Sequence, residues 1–167
     1  MGLALSYLRV PPVVEGESDP ARMAAMLFGG RDLRTDARDG RVLDLGGDWQ
    51  VLHWALTGDA WDGRQPEADV VCGGRLLTED GADASGADVI YLAPERVKAA
   101  AAHLDSTGFA SLPGRLDAAE MRAAGVQGAD VPAPEARLRP AYARLAEFFR
   151  AAAGEGQAVF KVLRSGS

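Results

Sequence analysis

"AYARLAEFFRAAAGEGQAVFKVL", residues 141–163, joins the most regular helical pattern in the chain to a short apolar run. Ala141, Tyr142, Leu145, Phe148, Phe149 and Ala152 recur at the three-to-four-residue spacing that lines one helix face. Arg144, Glu147 and Arg150 fall largely outside that face. Pro140 is expected in the first turn, because proline inside a helix costs about 3 kcal/mol. Gly154 and Gly156 end the helix, and 157–163 reads as a strand. A one-faced helix followed directly by an apolar strand predicts a helix layer packed on a sheet.

Working outward, three more strands are expected. Residues 2–10 are apolar and end at Pro11-Pro12, where the ladder donor is lost. Residues 70–77, "VVCGGRLL", form a strand interrupted by a double glycine, and 89–92, "VIYL", a third. Helices are expected at four further places. The first, 18–30, is capped by Ser18 or Asp19, opened by Pro20 and stopped at Gly29-Gly30, with Met23, Met26 and Leu27 inward. The others are 48–57, Pro94 to about Leu104 with Val97, Ala100, Ala101 and Leu104 on one face, and 116–125. Residues 31–41, 59–69 and 79–88 read as polar loops. There is no internal repeat and no regular βαβ alternation. The expectation is one α+β domain over 1–167, with a small mixed or antiparallel sheet of about four strands packed with several helices.

The chain has 167 residues, 47% hydrophobic and 25% charged, as in ordinary soluble domains. Its net charge of −6 argues against nucleic acid and against an anionic membrane surface, both of which need a basic face. No apolar run approaches the ~20 residues that span a bilayer. "MGLALSYLRVPP" lacks the charged n-region and long apolar core of a signal peptide. Cys72 is the single cysteine, which excludes an intrachain disulfide and fits a reducing, cytoplasmic setting.

The chemistry-bearing candidates centre on "GGDWQVLHWALTG", 46–58. Trp49, Leu52, His53 and Leu56 share a stripe, and Val51, Trp54 and Ala55 cover much of the remainder, so the helix is expected to be buried. Asp48 is expected to cap it by accepting from the N–H of Gln50 or Val51. His53 lies about 140° from Asp48 around the helix axis, so these two do not form a side-chain couple. Asp44 in "RVLDL" is the better partner if the chain doubles back. His53 as a base oriented by Asp44 is the catalytic candidate, set against a buried, hydrogen-bonded structural histidine. Tyr7, Arg9, Trp49, Tyr91 and Glu95 are the binding candidates, Tyr91 and Glu95 in a shared cleft. Apart from Arg9, these also have a plain structural reading as boundary tyrosines, a core indole and a first-turn acid.

Other chemistries lack their patterns. No H-E-x-x-H, cysteine cluster or calcium-loop spacing occurs, so no metal site is expected, and His103 reads as a surface residue near a helix end. Cys72 after two valines reads as a small buried hydrophobe. G-x-S-x-G, the P-loop and G-x-G-x-x-G are all missing, so neither a serine nucleophile nor a nucleotide or other cofactor is expected.

Four blocks resemble a known family. "MGLALSYLRV" is similar to its Met-Gly opening. "LDLGGDWQVLHWALTG" resembles its most recognisable segment through Leu43-Asp44-Leu45, Trp49, His53 and Leu56-Thr57-Gly58. "VCGG" and "YLAPERV" resemble its glycine-turned strand and helix start, and "AYARLAEFFRAAAGEGQAVFKVL" its C-terminal helix and strand. The chain is identified as a member of the YfbM-like family, a bacterial domain of unknown function. It departs in having Gly46-Gly47 for a charged Asp-Lys pair, Ala93 for a capping threonine, and a 79–88 loop without the usual aromatic. The resemblance implies an α+β fold in a bacterial cytoplasmic protein and brings no activity, cofactor or catalytic residue. The functional expectation is a small acidic binding module, without catalysis, for a partner protein or a small ligand. The alternative is a hydrolase-like enzyme using His53 with Asp44.

Overall fold

The fold is that of a computed structural model, which describes residues 2–11, 22, 38–77 and 88–165. Five strands form one antiparallel sheet: β1 (Leu3–Val10), β2 (Val42–Gly46), β3 (Arg75–Leu76), β4 (Asp88–Leu92) and β5 (Ala158–Ser165). Their order is β2-β1-β5-β4-β3. β1 and β5 pair along their whole length at the centre, from Leu3 opposite Ser165 to Val10 opposite Ala158. Four helices appear among the described residues: α1 (Trp49–Thr57), α2 (Pro94–Thr107), α3 (Ala118–Ala123) and α4 (Pro134–Gly154). The α+β expectation holds, with a fifth strand added.

Strand alternation sorts the two sheet faces. Leu5 and Tyr7 of β1 and Val159 and Leu163 of β5 join α1, α2 and α4 in the main core. Leu8, Val10, Leu77, Val89 and Phe160 form a second buried cluster, against which Val42 and Tyr91 pack. The predicted stripe of α4 is intact: Ala141, Tyr142, Leu145, Phe148, Phe149 and Ala152 are all buried. Phe148 and Phe149 both meet the Tyr7 ring, at centroid distances of 5.8 and 6.0 Å.

Several expected boundaries move. β2 occupies residues left unassigned between a predicted loop and a predicted helix. It is short, lies at the sheet edge, and carries Asp44 outward, so its buried apolar residues are only Leu43 and Leu45, with Val42 partly buried on the other face. α4 starts at Pro134, and Pro140 lies inside it. The proline removes the bond to the carbonyl of Ala136, and both residues are exposed, where water can serve that carbonyl. The strand expected at 70–77 shrinks to Arg75–Leu76, preceded by a 3₁₀ turn, Glu67–Val70. The double glycine explains this. A Cβ on Gly73 would stand 2.4 Å from Asp69 Oδ1, and one on Gly74, at φ +130°, would stand 2.6 Å from Ile90 Cγ2. Only glycines let the chain fold back this tightly against its own turn and against β4. Asp48 precedes α1 as expected but makes no side-chain cap; its carboxylate pairs with Arg137 at 2.9 Å instead. Apart from Arg22, the helix expected at 18–30 lies outside the described residues, as does the loop at 79–87.

Candidate functional site

α1 is buried along most of its length, with Trp49, Gln50, Val51, Leu52, His53, Ala55 and Leu56 inside. His53 is 0% exposed. Its Nε2 lies 2.9 Å from the carbonyl oxygen of Asp62, so Nε2 carries the proton and donates it. Nδ1 is then an acceptor, and it has no hydrogen-bond partner. Burial lowers the His53 pKa below its ordinary value, with the Asp62 carbonyl acting the other way. Asp44 is exposed and accepts from the Gly46 N–H at 2.8 Å. The structure therefore does not bring Asp44 to His53. We expect His53→Ala to cost about 1–3 kcal/mol, several degrees of melting temperature. An unchanged melting temperature would contradict a structural role for this ring.

The binding candidates are also dispersed. The Tyr7 hydroxyl donates to the Val70 carbonyl at 2.7 Å, and burial raises its pKa well above normal. Arg9 is buried against Glu155 and Gln157, each at 2.7 Å. Trp49 is 1% exposed and donates to the Leu3 carbonyl. Tyr91 packs against Phe160 in the second cluster, whereas Glu95 is exposed in the first turn of α2.

What the structure gathers instead is a polar hub beneath the turn at 67–73. Tyr7 and Lys161 are cross-strand neighbours on β1 and β5. Both reach the same turn: Lys161 Nζ donates to the carbonyls of Asp69 and Gly73 beside the Tyr7–Val70 bond. The Asp69 carboxylate, itself buried, takes a two-pronged bond from Arg96 Nε and Nη2. Lys161 is 0% exposed, and burial pushes its pKa down to about 7. Burial likewise pushes the Cys72 thiol up to about 12, against the nearby Lys161 charge. A neutral, half-buried thiol is a poor nucleophile. The sequence signal for this hub was the lone lysine inside "VFKVL", a charged residue in an otherwise apolar strand.

A second feature opens to solvent. A cleft of about 460 Å3 lies between the ends of α1 and α2. Leu56 and Leu112 give it an apolar floor, and Arg64, Glu67, His103, Thr107, Ser111 and Arg115 supply polar groups. Arg115 Nη1 donates to the carbonyls of Ala55 and Leu56, covering the end of α1, and the Trp54 indole donates back to the Arg115 carbonyl. His103 Nδ1 stands 3.7 Å from Glu67 and 3.3 Å from the Thr107 hydroxyl. Apart from His103, read as a surface residue, none of the six polar residues entered the sequence reading; they come from separate segments and share no motif. Among the described residues, no group of three or more His, Cys, Asp or Glu could hold a metal. No helix there is long and apolar enough to cross a membrane.

The model of a family described as a domain of unknown function, DUF1877, matches residues 1–161. The chain belongs to the DUF1877 family. The crystal structure of YfbM from Escherichia coli, a protein of unknown function, is similar to this DUF1877 chain with a TM-score of 0.62 and 17% identity. The alignment covers 96% of this chain and 99% of YfbM, so the two share their fold. The YfbM-like resemblance is thereby established. No curated protein matches the sequence. The hub and cleft of this DUF1877 protein are features of its own residues.

Proposed function

We propose that this DUF1877 protein is a non-catalytic binding module that takes a small polar ligand in the cleft between α1 and α2. The observation that carries the reading is the cleft itself: a volume in the range of small-molecule sites, an apolar floor, and six polar side chains converging from separate segments. The hub is a poor competitor, because its amine and phenol are spent on backbone carbonyls and its thiol is held neutral. A hydrolase built on His53 and Asp44 draws no support from the geometry, in which one ring is sealed and the other group faces solvent.

The test is a nitrogen-15 NMR screen with small carboxylates, amines, alcohols and sugars. Binding compounds are expected to shift the amides of residues 56–57, 64–67, 103–107 and 111–115. Ser111→Trp, at an exposed lining position, should abolish those shifts while leaving the remaining spectrum in place. Shifts confined to other surfaces, or none from any compound, would refute the reading.

A further inference from the structure

Charge within the cleft narrows the ligand class, on the footing of the binding reading above. Two helix C-termini end here, α1 at Thr57 and α2 at Thr107. Such ends carry partial negative charge. Arg115 is committed to the α1 end through two carbonyl contacts, and the Ser111 hydroxyl reaches the Thr107 and Gly108 carbonyls at 3.3 and 3.0 Å. That leaves one cation and one anion. The Arg64 guanidinium is exposed and makes no hydrogen bond or ion pair among the described residues. The Glu67 carboxylate is part-buried, and among the described residues its ion-pair neighbour is His103 Nδ1, at 3.7 Å. Arg64 and Glu67 are three residues apart in sequence, yet do not pair with each other. A guanidinium is always charged and is shaped for a carboxylate. A carboxylate beside a helix C-terminus favours an ammonium group.

We infer that the cleft binds a small zwitterion of the amino-acid class, with its carboxylate on Arg64 and its ammonium on Glu67. A simple anion would leave the Glu67 carboxylate unmatched, and a simple cation would leave the Arg64 guanidinium unmatched. The volume of about 460 Å3 holds a whole amino acid with its side chain on the Leu56–Leu112 floor. His103 is a positioning residue, lodged between Glu67 and the Thr107 hydroxyl.

The experiment titrates the full chain with free amino acids, and with the same amino acids N-acetylated or amidated so that each keeps one charge. At least one free amino acid should bind, and both blocked forms should bind about tenfold or more weakly. Arg64→Gln should erase the preference for the free acid over the amide, and Glu67→Gln the preference for the free amine over the N-acetyl form. Both variants should melt within a degree or two of the parent, since the Arg64 guanidinium makes no hydrogen bond or ion pair among the described residues and glutamine keeps the shape of Glu67. Blocked forms that bind as well as free ones would overturn the zwitterion assignment, as would unchanged preferences in either variant. If no amino acid binds while other polar compounds shift the same cleft, the assignment fails and the binding reading stands. If nothing shifts the cleft, both fail.

Discussion

Between pH 7 and pH 9 the protein should become more stable, and Lys161→Met should remove the rise. The ordinary lysine value is 10.5, and burial brings Lys161 to about 7 in the folded chain. Between those two values the unfolded chain holds a proton that the folded chain has released, so stability increases with pH. One proton is worth about 1.4 kcal/mol per pH unit, which over this range gives roughly 2–3 kcal/mol, or about 5–10 °C in melting temperature. The two carbonyls that accept from Nζ favour the ammonium, but the burial effect is larger. Cys72 works in the opposite direction. Its thiol is held to about 12 against an ordinary 9.0, so above pH 9 the unfolded chain loses a proton that the folded chain keeps. Stability should therefore level off near pH 9, then fall once lysine is neutral in both states and the raised Tyr7 phenol adds to the loss. On the acid side, the lowered His53 value adds a fall in stability below pH 6.5, where the unfolded imidazole gains a proton that the folded one resists. Thermal melts across pH 5–11 read all of these segments. A flat profile from pH 7 to 9 would mean that burial does not govern the Lys161 amine.

Trp49→Ala should cost about 3–5 kcal/mol, among the largest losses of any single substitution. The indole is 1% exposed, its N–H is bonded to the Leu3 carbonyl at 3.0 Å, and its ring packs at 5.3 Å on Trp61. It therefore ties the first turn of α1 to the start of β1. Trp61, the other half of the pair, is 52% exposed. Trp61→Ala should remove only part of one face and cost about 1 kcal/mol or less. Urea melts of the two variants, read with far-ultraviolet circular dichroism, make the comparison. Equal losses would show that the tilted ring pair acts as a unit.

How much of this was visible in the sequence varies with the range of the interactions. The α4 stripe and β5 were legible because local periodicity and burial agree there; Phe149 and Val159 are fully buried, as their spacing implies. The helix expected at 116–125 is present as α3, and the structure adds its cap, the Asp117 carboxylate accepting from the Glu120 N–H. β2 was not legible, because a five-residue edge strand with an outward Asp44 has almost no pattern. Pro140 misled because the rule against interior proline weakens where the orphaned carbonyl faces water. His53 was rightly placed on a buried helix stripe, but its partner is a backbone carbonyl, which every residue possesses and no sequence pattern marks. The cleft is harder still. Arg64, His103 and Ser111 meet only because α1, the 67–70 turn and α2 converge, and that convergence is a tertiary fact.

The central pairing of β1 with β5 has a consequence for how the chain is made. Residues 3–10 hydrogen-bond to residues 158–165, so the middle of the sheet closes only after β5 has followed everything between it and β1 out of the ribosome. Until then, β1 has no central neighbour, and Lys161 cannot reach the turn it pins. Contacts this distant in sequence slow folding. They also tie the survival of the nascent chain to the arrival of β5: a product stalled before residue 158 would present an open strand edge to chaperones, proteases and its own copies.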